Sequence, residues 1–321
     1  MRIRILLVLL AVGGVAPVAS GADLKSLERQ VRDEVSRFAG TMGVVARNLD
    51  TGQRIAVNEN LRFPTASLIK VAVMVETFHG IADGSLRRDQ TVTLHDADRA
   101  GDETVPLNVL HDGTVLTVSD LLRLMIAWSD NTATNLLVGL TGVVRTNRRM
   151  EGYGLRNTKI FRPTFRDGKP DVFPELEHEF GLGMTTPADT ARLFELIAQG
   201  KVVDRATSDE MLAILALQQD RAMLPRRLPF GRDKIFVASK TGWDEEKLPD
   251  RAGFRGDVRG DAAYVKGPRG RYVIAILTRR VKDKSPGVDS DALVTGARIS
   301  RLVYDAFAGP VNGAPRRGRD R

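Results

Sequence analysis

The sequence predicts a mixed α/β (α+β) fold in which a long helical block interrupts a sheet domain. Apolar residues recur at helical spacing from Leu24 to Phe38, which indicates an amphipathic N-terminal helix that stops at Gly40. Strand-like segments occur only before residue 59 and after residue 234, and the stretch between them to about Arg226 is mainly helical. With 321 residues and 42% hydrophobic content, the chain is long enough to bury a large core.

The predicted sheet elements are two hairpins and one further strand. The first hairpin pairs residues 43–49 with 54–58 across Asp50-Thr51-Gly52, a typical turn sequence. Residues 235–240 form a strand, and the second hairpin pairs 262–265 with 272–278 across a Gly-Pro-Arg-Gly turn. Apolar residues between Leu293 and Val303 predict a closing helix.

Two helices of the helical block have clear boundaries. Phe63-Pro64-Thr65 offers a proline break and a threonine cap before an apolar segment that runs to Gly80. Residues 119–128 form the clearest helix, and it places Ser129-Asp130-Asn131 at its end.

The first 22 residues are predicted to be a cleaved signal peptide. Arg2 and Arg4 form a basic start, residues 5–18 are apolar, and residues 19–22 are small. The apolar stretch is shorter than the roughly 20 residues that a membrane-spanning helix needs. The chain has no cysteine and therefore no disulfide. These features predict a bacterial periplasmic or secreted protein.

The net charge of +8 does not by itself indicate a nucleic-acid partner. Acidic residues are interleaved along the whole chain, and no recognition motif accompanies the basic residues. The basic end at residues 310–321 is predicted to be a disordered, solvated tail. We therefore expect a monomer that acts on a small molecule, without nucleic acid and without a membrane after signal cleavage.

Three short motifs carry the predicted chemistry: Ser67-Leu68-Ile69-Lys70, Ser129-Asp130-Asn131 and Lys240-Thr241-Gly242. A serine hydroxyl is a poor nucleophile until a base removes its proton, and a lysine is that base only if its pKa is lowered. Positions i and i+3 share one face of a helix, so the first motif would place serine and lysine side by side. The N-terminal backbone N–H groups of that helix would favour negative charge developing near the serine.

In this order the motifs resemble those of the class A serine β-lactamases and their penicillin-binding relatives. Residues 129–137 and 185–189 are also similar to segments of that family, and the resemblance covers roughly residues 23–308. It implies a β-lactamase/transpeptidase-like fold, with a five-stranded antiparallel sheet flanked by the first and last helices and an inserted all-helical domain. On this pattern residues 23–64 and 227–309 form the sheet domain, residues 65–226 form the helical domain, and the catalytic groove lies between them.

The resemblance also implies roles for the first two motifs. Ser67 is the nucleophile that forms an acyl-enzyme, and Lys70 is either the base for acylation or part of a proton relay. Ser129 passes a proton to the leaving nitrogen, and Asn131 holds an amide carbonyl of the substrate. Asp130, like Asn135 further along, is expected to be structural and to satisfy backbone groups of the loop.

The third motif implies contacts to the substrate. Lys240 supplies positive charge near the serine and near a substrate carboxylate, and Thr241 hydrogen-bonds that carboxylate. Gly242 lets the substrate backbone approach closely.

The oxyanion hole implied by the resemblance uses the backbone N–H groups of Ser67 and Trp243. The family usually has a smaller residue at the Trp243 position. Arg255 or Arg259 is a candidate for a further carboxylate contact, and both are equally consistent with solvated loop charges.

Deacylation in this family uses a glutamate of the Ω-loop, which corresponds to residues 171–179 here. Alignment on Pro-Glu-Leu puts Phe173 at the glutamate's place, with Glu177 in place of the asparagine that follows. Counting back from Thr185-Thr186-Pro187 favours Glu175 instead. We predict Glu175 as the catalytic base for deacylation, while Glu177 and Glu179 are equally consistent with surface charges.

No metal or organic cofactor is predicted. The four histidines, His79, His95, His111 and His178, lack metal-ligand spacing, and no Gly-x-Ser-x-Gly elbow occurs. The predicted function is a class A-type serine β-lactamase that hydrolyses the β-lactam amide through an acyl-enzyme on Ser67. Two alternatives stay open: a D,D-peptidase or esterase on the same scaffold, and a penicillin-binding sensor or trap that is acylated without turnover.

Overall fold

A five-stranded antiparallel sheet forms the centre of the computed structural model, which describes residues 21–101, 106–165 and 169–310. The strand order is β2-β1-β10-β9-β8, so β8 lies at one edge. This arrangement confirms the predicted fold class. The five strands are β1 (Thr41–Asn48), β2 (Arg54–Val57), β8 (Phe236–Glu245), β9 (Asp257–Lys266) and β10 (Arg271–Val281).

Two helices cover one face of the sheet: α1 (Gly21–Arg37) and α9 (Asp291–Phe307). Their apolar stripes pack together and against the inward residues of the strands, because every second residue of a strand points to the same face. Val31, Ile274 and Val303 are fully buried in this layer.

The other face of the sheet carries the helical block. Its apolar core is continuous with the sheet, since Val45, Val273 and Leu277 of the strands pack in one cluster with the helices. The helices are α2 (Lys70–Ala82), α3 (Val118–Ala127), α4 (Asn131–Thr141), α5 (Val143–Gly152), α6 (Pro174–Phe180), α7 (Pro187–Ala198) and α8 (Arg205–Leu215). Five short strands complete the block: β3 (Phe63–Pro64), β4 (Thr91–Thr93), β5 (Val115–Thr117), β6 (Lys159–Ile160) and β7 (Gly183–Thr185).

The predicted elements are present, with shifted ends. The strand predicted at residues 235–240 extends to Glu245, because its polar second half pairs with β9 through the backbone. The predicted threonine cap at Thr65 is wrong. A 3₁₀ turn over Ala66–Ile69 precedes α2, and the Thr65 side chain makes no capping hydrogen bond.

The predicted signal segment and basic tail lie almost entirely outside the described residues, as positions 1–20 and 311–321. The domain boundaries stay a prediction. Within the described ranges, no helix combines the length and the apolar character needed to cross a membrane.

Candidate active site

Ser67 lies half-buried in the 3₁₀ turn that leads into α2. The preceding residue, Ala66, has φ of 42°, a left-handed conformation that costs a non-glycine residue about 1–3 kcal/mol. Strain of this kind persists only where the surroundings impose it. The turn is held against β8, and this contact requires a glycine. A Cβ atom on Gly242 would lie 2.7 Å from the carbonyl oxygen of Thr65 and 3.2 Å from the amide nitrogen of Ser67.

Lys70 is fully buried at the start of α2, three residues after Ser67. Its ammonium donates to three acceptors from the second motif: the Ser129 carbonyl oxygen at 2.5 Å, the Asn131 Oδ1 atom at 2.6 Å and the Ser129 Oγ atom at 3.2 Å. The first two motifs therefore meet through the lysine side chain.

Lys240, from the third motif on β8, also donates to the Ser129 hydroxyl. Its ammonium donates to Ser129 Oγ at 3.1 Å and to the carbonyl oxygen of Thr241 at 2.9 Å. Burial lowers the pKa of Lys240 to about 7, although the nearby carboxylates of Asp220 and Asp261 act in the raising direction. Residues of all three motifs therefore meet at the Ser129 hydroxyl. We call Lys70, Ser129, Asn131 and Lys240 the cluster.

The Ser129 hydroxyl accepts from two ammonium groups, and this arrangement directs its own proton. A hydroxyl has two acceptor lone pairs and one donor. Because Lys70 and Lys240 occupy the acceptor side, the remaining O–H bond is available for a group in the groove. Ser129 itself has φ of 59°, a second strained position in the cluster.

Asp130 and Asn135 have the structural roles predicted for them. The Asp130 carboxylate is fully buried, caps α4 by accepting from the Ala133 amide at 2.7 Å, and accepts from the Leu107 amide at 2.9 Å. Asn135 exchanges hydrogen bonds with the backbone of Thr164, with Thr164 N to Asn135 Oδ1 at 2.8 Å and Asn135 Nδ2 to Thr164 O at 3.2 Å.

Glu175, the predicted deacylating base, is exposed in the first turn of α6. No described hydrogen bond or ion pair connects it to Ser67, Lys70 or Ser129. The assignment of Glu175 as the base therefore stays a prediction.

The other two candidate glutamates form ion pairs with arginines. Glu177 is buried and pairs with the buried guanidinium of Arg162 at 2.9 Å. Glu179 lies 3.5 Å from the guanidinium of Arg279. Both interactions bring distant parts of the chain together.

Thr164, between β6 and α6, is hydrogen-bonded to the second-motif helix α4, and the sequence did not point to it. Its hydroxyl donates to the Asn135 Oδ1 atom at 2.8 Å and lies 3.3 Å from the carbonyl oxygen of Asn131. The signal available in the sequence was its spacing from Asn135, which short-motif analysis does not detect.

Trp243 follows Gly242 on the edge strand, and the residue is 64% exposed. Edge strands leave every second backbone N–H unpaired, which is the property that the predicted oxyanion hole needs. Of the two candidate arginines, Arg255 is exposed. The Arg259 side chain is only 14% exposed and lies beneath the Trp243 ring.

Asp261 is a buried acid that the sequence analysis passed over. It is fully buried on β9, opposite Thr241, and one oxygen accepts from the Leu224 amide at 3.0 Å. Its other oxygen has no hydrogen-bond partner. Burial raises the pKa of Asp261 well above its ordinary value. An acid between a glycine and a run of apolar residues was the visible signal.

The described residues contain no group of three or more histidine or acidic side chains arranged to hold a metal ion. The polar atoms that meet at the cluster come from serine, lysine and asparagine. They are suited to proton transfer and to binding an anionic or carbonyl-bearing ligand.

The model of the Beta-lactamase enzyme family matches residues 26–307 of this chain. The chain belongs to that family. This match confirms the predicted class A serine β-lactamase family and the predicted hydrolase class.

Individual relatives agree with the family match. β-Lactamase L2 of Stenotrophomonas maltophilia is 28% identical over 257 residues, which are 78% of this chain and 77% of the relative. The extended-spectrum β-lactamase PER-1 of Pseudomonas aeruginosa is 27% identical over 281 residues, covering 87% and 86% of the two chains.

The solved structure of PBP-A is similar along nearly its whole length. It is 29% identical with a TM-score of 0.73, and the match covers 92% of this chain and 99% of PBP-A. A point mutant of PBP-A was solved as an acyl-enzyme complex with penicillin G, and it is 30% identical with a TM-score of 0.72, covering 88% of this chain and 97% of that one.

Proposed function

We propose that this chain is an exported class A-type serine β-lactamase that opens the β-lactam amide through an acyl-enzyme on Ser67. The observation that carries the proposal is the Ser129 hydroxyl held between the ammonium groups of Lys70 and Lys240, beside the turn that presents Ser67. The acyl-enzyme of the PBP-A mutant with penicillin G supports β-lactams as acyl donors for this scaffold.

In the acylation half, Ser67 Oγ attacks the lactam carbonyl carbon. A C–O bond forms, the C–N bond breaks, and the serine proton finally resides on the leaving nitrogen. Lys70 either takes that proton directly or passes it along its hydrogen bond to Ser129, whose hydroxyl gives a proton to the leaving nitrogen. The backbone N–H groups of Ser67 and Trp243 stabilise the negative oxygen.

Asn131 and Thr241 position the substrate, Asn131 through an amide carbonyl and Thr241 through a carboxylate. Gly242 keeps β8 close to the nucleophile, since any side chain there would collide with the turn. Lys240 adds positive charge on the carboxylate side.

In the deacylation half, water attacks the ester carbonyl, the acyl C–O bond breaks, and Ser67 regains a proton. We expect this half to be the slower one, because the position beside Asn131 is occupied by Thr164, whose hydroxyl is not a general base at neutral pH. Glu175, in the exposed first turn of α6, is the proposed base that activates this water.

The experiment is steady-state hydrolysis of benzylpenicillin by the mature protein. Wild type is expected to turn over the compound repeatedly, and Ser67→Ala is expected to abolish turnover. Ser36→Ala is a matched control, because it removes an exposed hydroxyl on α1. Equal hydrolysis by wild type and Ser67→Ala would refute the assigned nucleophile. One acylation event without turnover would favour the sensor or trap.

A further inference from the structure

Trp243 and Arg259 form a cross-strand pair at the edge of the groove. The two residues are directly opposite in the β8–β9 ladder, so their side chains share one face of the sheet. The guanidinium carbon of Arg259 lies 4.5 Å from the centroid of the Trp243 ring, within cation–π distance. The Trp243 residue is 64% exposed, whereas the Arg259 side chain is 14% exposed. The ring therefore covers the charge on the solvent side.

The Asp257 carboxylate accepts hydrogen bonds from both Trp243 and Arg259. Its buried Oδ2 atom accepts from Arg259 Nη2 at 3.2 Å and from Trp243 Nε1 at 3.4 Å. One carboxylate oxygen thus holds both partners. The guanidinium is covered on one face by the indole and paired at one edge with a carboxylate.

Thr241 lies on the same face as this pair, two residues before Trp243 on β8. Its direct partner in the ladder is Asp261, which makes Arg259 its diagonal neighbour. Diagonal neighbours in an antiparallel ladder are about 7–8 Å apart, a separation that long side chains bridge. An uncovered Arg259 would therefore reach an anion held at the Thr241 hydroxyl.

We propose that Trp243 is a specificity-determining residue that withholds the Arg259 guanidinium from the substrate, so that carboxylate recognition falls to Thr241 and Lys240 alone. This inference rests on the proposed function. The expected substrates are acyl donors that bind without a contact between Arg259 and the leaving group. They include donors whose leaving group carries no carboxylate.

The test compares acylation of Ser67 by benzylpenicillin and by its uncharged methyl ester, followed by intact-mass spectrometry. The measured quantity is the ratio of the two second-order rate constants, acid over ester. Trp243→Ala is expected to raise this ratio about tenfold, the effect of one new hydrogen bond between charged groups. Trp243→Phe keeps a ring over the guanidinium and is expected to keep the wild-type ratio.

Two further variants separate the covering of Arg259 by the Trp243 ring from other effects of Trp243→Ala. Arg259→Gln alone is expected to leave the ratio within about twofold of wild type, because a covered guanidinium contributes little. Trp243→Ala combined with Arg259→Gln is expected to return the ratio to the wild-type value. Trp128→Ala is the matched control. It removes an exposed tryptophan for which no cation–π contact is described, and its ratio is expected to stay unchanged.

The opposite pattern would overturn the inference. If Arg259→Gln lowered the acid-over-ester ratio about tenfold in the presence of Trp243, the guanidinium would already be reaching the substrate. An unchanged ratio in Trp243→Ala would show equally that the indole withholds nothing. Failure of wild type to be acylated by either compound would instead refute the proposed function, and this inference with it.

Discussion

At the residue scale, two lysines with different numbers of described hydrogen-bond acceptors donate to the Ser129 hydroxyl. Lys70 donates to three described acceptors, whereas Lys240 donates to two. Both side chains are fully buried, and burial disfavours the charged form of an amine. The charge state of Lys240 is therefore adjustable near neutral pH, which gives the site a measurable pH dependence.

We predict that acylation by benzylpenicillin weakens as pH rises through about 7, the pKa of Lys240. Below that pH the ammonium is charged and attracts the substrate carboxylate, and above it the amine is neutral. Second-order acylation rates between about pH 5 and about pH 9 test this. Lys240→Arg keeps its charge throughout the range, so its acylation rate should not fall near pH 7. A wild-type rate that stays flat through pH 7 would contradict the prediction.

Asp261 is predicted to lower the stability of the protein as pH rises. Its raised pKa means that the folded state keeps a proton which the unfolded state releases above about pH 4, so the free energy of unfolding falls with pH from there upward. Asp261→Asn removes this penalty. We expect its Tm to exceed that of wild type by a margin that grows between about pH 5 and about pH 8.

Asp261→Leu is the matched variant, because it also deletes the acceptor of the buried Leu224 amide. It is expected to lose about 1–3 kcal/mol of stability. A Tm advantage of Asp261→Asn that shrinks with rising pH would show that the acid is ionised in the folded state.

At the element scale, two interactions shape the segment between β6 and β7. Asn135 binds the backbone of Thr164 at one end, and the buried Arg162–Glu177 ion pair joins the start of the segment to α6. Removing one partner of such a buried pair costs about 3–5 kcal/mol, because the other charge is left uncompensated. These contacts hold the segment against α4, beside Asn131, and leave Glu175 on the outer side of α6.

We predict that Glu175→Gln slows deacylation about a hundredfold or more, which is the contribution of a general base. Conversely, Thr164→Glu is expected to speed deacylation about tenfold or more by placing a general base beside Asn131. Thr164→Gln is the uncharged control and should not accelerate it. Decay of the isolated acyl-enzyme, followed by mass spectrometry, measures all three. A deacylation rate in Glu175→Gln that stays within about twofold of wild type would refute Glu175 as the base.

The contrast between the motifs and this segment shows what the sequence can and cannot predict. The sequence predicted that Lys70 lies at the start of α2, three residues after Ser67, and that Ser129 follows the end of α3. Both positions depend on local helical periodicity, which the sequence shows directly. The position of Thr164 depends on the Asn135 contact, and that of Glu175 on the direction of α6. These are tertiary features without a periodic signal. The covering of Arg259 by Trp243 likewise follows from strand register, which hydrophobic patterning did not give for the polar end of β8.

At the scale of the whole molecule, one apolar core crosses the predicted domain boundary. Side chains of β1 and β10 pack in the same cluster as those of α2, α3 and α7. The predicted sheet domain and the predicted helical insert therefore bury a common surface, and the proposed catalytic residues come from both. Neither part retains that apolar burial when it is separated from the other.

We predict that the two parts unfold in one transition. The chain has two tryptophans, Trp128 at the end of α3 and Trp243 on β8, so Trp243→Phe and Trp128→Phe each leave one fluorescent reporter in one part. Urea transitions of the two variants, followed by fluorescence and by far-UV circular dichroism, should coincide after correction for any shared change in stability. Separate midpoints for the two reporters would show independent domains.

The most direct measurement of the central claim is an intact-mass time course of the mature protein with excess benzylpenicillin, followed by peptide mapping. We expect the full mass of benzylpenicillin to be added on the peptide that contains Ser67, to decay as hydrolysed penicillin accumulates, and to be absent from Ser67→Ala. An adduct on another residue, or no adduct and no hydrolysis by a folded protein, would contradict a serine β-lactamase built on Ser67.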